Sequence, residues 1–219
     1  MVKQNKPRSA EPDDEVVFNS EYLGYVNRSY NVSNLSFAID EGVREPKYYR
    51  NIIEQMQNLT PEDTVQIRIT SVGGRLDGLL ALMEAIRVCE ASVLAIIAGE
   101  CYSAASILAL NCPNVIVSPY ATMMVHNVSY GTSGKNSDII GMVSHTTDFC
   151  NRLFVSTYRG FLSDKEIDDV LNGKELWFQA EEIEARLEKR FKHLNKLNKP
   201  AKAPKKPKVV PEVSVETQQ

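Results

Sequence analysis

Between the polar ends of the chain, apolar and polar positions change their spacing in a regular order. SNLSFAI, ending at Ile39, reads as a short strand, and YYRNIIEQMQNL then spaces its apolar residues for an amphipathic helix that stops at the Thr60-Pro61 break. TVQIRIT alternates β-branched and polar residues as a strand does, SVGG interrupts it, and LDGLLALMEAIRVC resumes with helical spacing. Strand, glycine turn and helix follow one another, and the order returns twice. VLAIIAG runs into CYSAASILALNC; NVIVSP with ATMMVHNVS leads through a glycine-rich loop into SDIIGMVSHTTDFCNRLFVSTYRGFL. LSDKEIDDVLNG predicts a short helix capped by Ser163 and closed at Gly173, and QAEEIEARLEKRF a last helix. Strands alternating with helices at this spacing predict βαβ units, a largely parallel sheet with right-handed crossovers, and an α/β fold class.

Composition adds the boundaries. A chain of 219 residues, 43% hydrophobic and 24% charged, is expected to bury one core. Residues 1–16 are polar and proline-bearing, and residues 191–219 alternate lysine with proline and alanine, so both are expected to be flexible tails around one domain at 17–190. A net charge of -3 lacks the basic bias of a nucleic-acid binder, although the basic tail leaves room for an acidic partner. Cys89, Cys101, Cys112 and Cys150 show no CxxC pair or metal-ligand spacing and read as reduced thiols, mostly buried. The N-terminus carries charges and prolines where a secretory signal would have an apolar core, and no later run approaches a membrane span. The expected location is the cytoplasm.

Three strand ends carry residues capable of chemistry. In AGECYSAASILAL a strand ends near Gly99 and a helix begins near Ser103. A serine there can simply be an N-cap. The small residues Ala104, Ala105 and Ser106, however, allow close backbone approach, and a helix start presents unpaired N–H groups toward developing negative charge. Gly73 and Gly74 of SVGG either make a tight turn or bring a second backbone donor to the same rim, since ligands of parallel α/β sheets bind at the carboxyl ends of strands. His126 follows ATMMV at another strand end, where a histidine can be structural, and if a base serves Ser103 it is the economical choice, since His145 lies on a predicted helix and His193 at the start of the basic tail. Cys101, two residues before Ser103, reads as a core thiol. GTSGKNS departs from a phosphate loop at its first position and after its lysine, so no nucleotide or cofactor site is expected.

The ordered blocks ITSVGGRLDGLLALMEAI, AGECYSAASILAL, MMVHNVSYG and GKELWFQAEEI together resemble the proteolytic subunit of Clp protease, ClpP, over about residues 30 to 188. Where that family has SPGG, a serine among alanines and glycine, and an MIHQP-type histidine block, this chain has SVGG, CYSAAS and MVHNV. The resemblance implies a ClpP/crotonase-like superhelix with a protruding handle helix, and a serine endopeptidase acting on unfolded polypeptides through an acyl-enzyme. It implies Ser103 as nucleophile, His126 as general base, and the backbone N–H groups of Gly74 and Ala104 as oxyanion donors. The family's third member is an aspartate; this chain has Glu175 at that place, with Asp168 or Asp169 as possible substitutes. It further implies a heptameric ring, stacked as a tetradecamer through the helix around SDIIGMVSHTTDFCNRLFVSTY, fed by a separate hexameric Clp ATPase that uses the ATP. Mild divergence from the family suits a phage-encoded version in the bacterial cytosol. Two other readings are a catalytically impaired ring subunit, for which Glu175 is the hint, and a crotonase-like acyl-CoA enzyme, which needs no serine nucleophile. A membrane peptidase of similar fold would want an anchor and a lysine base, and neither is evident.

Overall fold

The computed structural model describes residues 33–197 in full and, before them, the backbone of strands β1 (Val16–Asn19) and β2 (Leu23–Ser29). The expected tails lie outside the described residues except at their inner ends. Val16 opens β1, and residues 191–197, expected to belong to the C-terminal tail, continue the last helix. Phe191 and Leu194 help line a groove with Leu187 and Val115, and the next proline is Pro200, so nothing in 191–197 breaks the helix.

Three long strands form the centre: β3 (Ser33–Val43), β4 (Thr64–Gly74) and β5 (Ser92–Tyr102). The pairs β3–β4 and β4–β5 are parallel, and β5 continues the parallel pairing with both β6 (Asn114–Val117) and β7 (Thr122–Val125). Antiparallel strands flank this centre, β1 and β2 beside β3, and β8 (Leu176–Gln179) beside β7. The fold is α/β with a mostly parallel sheet, as the alternation of strand and helix patterns predicts. Strand β8 was not foreseen from LWFQ, whose four residues become a strand only through pairing with a segment about fifty positions earlier.

Among the described residues six α-helices pack around the sheet: α1 (Arg50–Gln57), α2 (Leu76–Val88), α3 (Ala104–Asn111), α4 (Asn136–Tyr158), α5 (Asp164–Leu171) and α6 (Ala180–Leu197). Alternation along β4 buries Val65, Ile67 and Ile69 completely and leaves Gln66 and Arg68 outward. Each such buried side chain contributes about 1.5–3 kcal/mol. Leu79 and Leu82 of α2 and Ala105 and Leu108 of α3 join the same core. Gly78 lets α2 approach the β3 exit closely, since a Cβ there would stand 1.7 Å from the Arg44 carbonyl oxygen. Ser163 and Glu166 form the reciprocal capping box that opens α5.

This layout positions the site. β4, β5 and β7 run in the same direction, so the segments leaving their carboxyl ends, Gly73-Gly74, Ser103 and His126, emerge at one edge of the sheet. SVGG does not interrupt β4 as the pattern suggested. Its glycines finish the strand, pairing with Gly42 and Val43 after a register shift at Glu41/Gly42.

Candidate active site

Ser103 sits between the last residue of β5 and the first of α3 with φ 54° and ψ -122°. A non-glycine residue in this region costs about 1–3 kcal/mol and persists only where its surroundings enforce it. They do. The Ser103 N–H donates to the Met124 carbonyl at 2.9 Å, tying the turn to β7, and the Ser103 carbonyl accepts the N–H groups of Ser106 (3.0 Å) and Ile107 (3.2 Å). Gly73 packs beneath the turn: a Cβ on it would lie 2.7 Å from the Cβ of Ser103 and 2.7 Å from the Tyr102 carbonyl oxygen. With φ 96° as well, that position requires glycine. The sharp strand-to-helix turn lifts the hydroxyl off the sheet, the same solution that strained nucleophile turns use elsewhere.

The hydroxyl meets a base. His126, one residue past β7, brings Nε2 to 2.6 Å from the Ser103 Oγ. When Nε2 carries no proton it can accept the serine O–H, the arrangement that makes a hydroxyl nucleophilic at neutral pH. Both residues are half-buried and line a cleft of about 110 Å³ together with Gly74 and Ala104. The rest of its wall is largely apolar, with Leu76, Leu79, Ile107, Leu153 and Phe154. Gly74 stands at the end of β4 and Ala104 at the first position of α3, where backbone N–H groups have no partner within the helix.

The acids are arranged differently. The antiparallel register of β7 and β8 ends with Val125 opposite Leu176, and carried one residue further it sets His126 opposite Glu175. The Glu175 side chain is exposed, and among the described residues no carboxylate oxygen lies within ion-pair distance of His126. Asp168 is also exposed, and Asp169 faces Lys174 at 3.3 Å. Asn127 donates to the Leu171 carbonyl at 3.1 Å, which joins the segment bearing His126 to the end of α5. The structure thus brings Ser103, His126, Gly74 and Ala104 to one cleft and leaves the three carboxylates outside it.

Cys101 is fully buried one strand position inside the site, and burial together with the neighbouring Cys112 pushes its thiol far above the ordinary value. It is no thiolate nucleophile. Cys150 lines the cleft, its thiol also raised by burial. Among the described residues no group of three or more His, Cys, Asp or Glu side chains could hold a metal ion, and no helix is long and apolar enough to cross a membrane. Sequence reasoning missed two hydroxyl groups behind the turn, Ser106 and Tyr158, which lie 2.5 Å apart and buried. In the sequence Ser106 stands out only for its small size, and nothing in the local pattern brings Tyr158 to it across 52 positions.

A family model described as Clp protease matches residues 33–185, more than two thirds of the chain. None of the curated proteins compared with the chain matches it.

Proposed function

The chain belongs to the Clp protease family, and on that premise we propose that it is a serine endopeptidase acting on unfolded polypeptides. The observation that carries this reading is the 2.6 Å contact between Ser103 Oγ and His126 Nε2 on a strained turn at the mouth of the cleft. Ser103 attacks the scissile carbonyl as His126 takes its proton. The tetrahedral oxyanion rests on the N–H groups of Gly74 and Ala104, and His126 then returns the proton to the leaving amine. Water repeats the sequence on the acyl-enzyme. The apolar wall formed by Leu76, Leu79, Ile107, Leu153 and Phe154 suits an apolar side chain next to the cleaved bond. Glu175 orients the imidazole after a change of rotamer, a role supported by its place opposite His126 in the extended β7–β8 register.

The same reading includes a ring of identical subunits, stacked through α4, whose exposed Ile140, Met142 and Val143 form an apolar surface. It includes a separate Clp-type ATPase as the source of energy, with no cofactor in this chain. A second reading, a ring subunit with little activity of its own, rests on the exposed and unengaged Glu175.

A fluorophosphonate probe tests the chemistry. Wild type should be labelled at Ser103, and both Ser103→Ala and His126→Ala should lose the label; labelling that survives Ser103→Ala sinks the nucleophile. Labelled protein that does not cleave an unstructured peptide would favour the second reading. Native mass measurement tests the ring, and a monomer at micromolar concentration contradicts it.

A further inference from the structure

The Ser103 carbonyl accepts, besides the two backbone N–H groups of α3, a third hydrogen bond from the Ser106 hydroxyl at 2.7 Å. Ser106 Oγ also lies 2.5 Å from the Tyr158 hydroxyl. Proton accounting fixes the direction of this chain. Ser106 has one hydroxyl proton, directed to the Ser103 carbonyl at 2.7 Å in preference to the Met124 carbonyl at 3.5 Å, so Tyr158 is the donor in the other bond. Tyr158, at the end of α4, is 1% exposed and Ser106 is fully buried, so water does not compete for either hydroxyl. Burial raises the Tyr158 phenol well above its ordinary value, which keeps its proton in place.

The Ser103 carbonyl and the Ala104 N–H belong to one planar trans peptide and point in opposite directions. Whatever holds the carbonyl therefore aims the N–H. The carbonyl is held toward Ser106 and α4, while Ala104 lines the cleft that contains Ser103 and His126. We propose that Ser106 and Tyr158 are positioning residues: a two-hydroxyl relay from the end of α4 that holds the peptide after the nucleophile and so aims the Ala104 N–H at the oxyanion. The inference rests on the peptidase reading above and names a support that reading did not include. It also couples α4, the helix of the exposed apolar surface, to the geometry of the nucleophile turn.

The experiment compares full-length wild type with Ser106→Ala and Tyr158→Phe, the second keeping the ring and its packing should the first fold poorly. Three readouts are taken: kcat and KM on an unstructured peptide, the affinity for a peptide boronate whose tetrahedral adduct occupies the oxyanion position against that for the product peptide, and hydrogen exchange of the segment 103–107. Ser106→Ala should lower kcat about 10-fold, a fraction of the effect of removing a whole oxyanion donor, with KM nearly unchanged. Tyr158→Phe should lower it less. Boronate affinity should fall in step with kcat while product affinity holds, and the double variant should be no worse than Ser106→Ala, because the hydroxyls act in series. Unchanged kcat and boronate affinity in both single variants overturn the proposal, as does a loss that merely tracks the fraction folded. If wild type is silent to fluorophosphonate and peptide, the peptidase reading falls, and exchange decides the relay alone: faster exchange at 103–107 in both variants sustains its hold on the turn, and unchanged exchange overturns it.

Discussion

At the carboxyl end of β5, Ser103 is fixed by hydrogen bonds from three directions and by a glycine pressed beneath it, whereas across β7 the carboxylate of Glu175 stands exposed with no bond to His126. The two halves of one candidate site therefore differ in what defines them. The nucleophile side is built from core contacts, and its strained φ is an expense the core covers. The acid side is built from a four-residue strand and the turn before it, and its exposed side chain is held by no core contact. Ser103, His126, Gly74 and Ala104 stand together in one cleft, and under the peptidase reading Glu175 has still to be brought in.

The largest effects should come from the assembled side. Ser103→Ala and His126→Ala should each lower kcat on an unstructured peptide on the order of 10⁶-fold, since members of such a unit fail together. Turnover within tenfold of wild type in either variant would remove that residue from the chemistry. Stability should move the other way at one position. Ser103→Gly, which accepts φ 54° without strain, should unfold at higher urea than Ser103→Ala, by about 1 kcal/mol. Equal midpoints would show that the turn is not strained in solution.

Glu175 comes next and bears directly on the contrast. If the acid swings in during turnover, Glu175→Ala should lower kcat by roughly 10²- to 10⁴-fold, with KM little changed. Asp168→Asn and Asp169→Asn should leave kcat at the wild-type level, because the first side chain is exposed on α5 and the second is occupied by Lys174. Unchanged kinetics for Glu175→Ala would mean that the imidazole works without a carboxylate from this strand. A large loss in Asp169→Asn would shift the role to α5.

The same contrast decides what the sequence could reveal. Strand and helix patterns around Gly73, Ser103 and His126 are long and regular, and parallel order alone brings their ends together, so the meeting of these residues at one cleft edge is legible in the sequence. The acid was legible only as a place in the chain. Whether Glu175 touches His126 depends on a side-chain rotamer and on pairing between β7 and the unforeseen β8, neither of which has a local signature. The Ser106–Tyr158 bond was illegible for a related reason: it joins α3 to α4 across the core, and neither residue type announces a long-range partner. Helix α6 continues to Leu197, beyond the end its basic composition suggests, with Phe191 and Leu194 lining an open groove although both remain exposed.

Each side also has its own arginine brace. On the nucleophile side, Arg190 of α6 donates to the carbonyls of Leu110 at 3.1 Å, Arg159 at 2.9 Å and Thr157, closing the ends of α3 and α4 together. Its partners are backbone carbonyls, which do not titrate. Arg190→Met should keep the stem packed but leave those acceptors unpaired, lowering stability by about 3 kcal/mol in urea unfolding, by a similar amount at pH 7 and pH 5. A loss below about 0.5 kcal/mol, the range of ordinary surface changes, would show that water replaces the guanidinium freely.

On the acid side the brace is ionic. Arg186 of α6 holds Glu166 of α5 at 2.7 Å and Glu182 at 2.8 Å, and lies over the Phe178 ring of β8. The hydrogen bond from Arg186, aided by the Ser163 N–H and hydroxyl, lowers the Glu166 carboxyl from 4.5 to about 2 despite some desolvation. Because the folded value lies below the unfolded one, the stabilisation is complete above about pH 4.5 and disappears as pH falls toward 2. Glu166→Gln should therefore cost roughly 1 kcal/mol near neutral pH, a modest figure because the pair is partly open to solvent. The difference between variant and wild type should shrink through that acid window, while the Arg190→Met difference has no such window. Parallel pH profiles for Glu166→Gln and wild type would show that the acid side is held by packing alone, and the distinction between a titratable brace and a fixed one would fail.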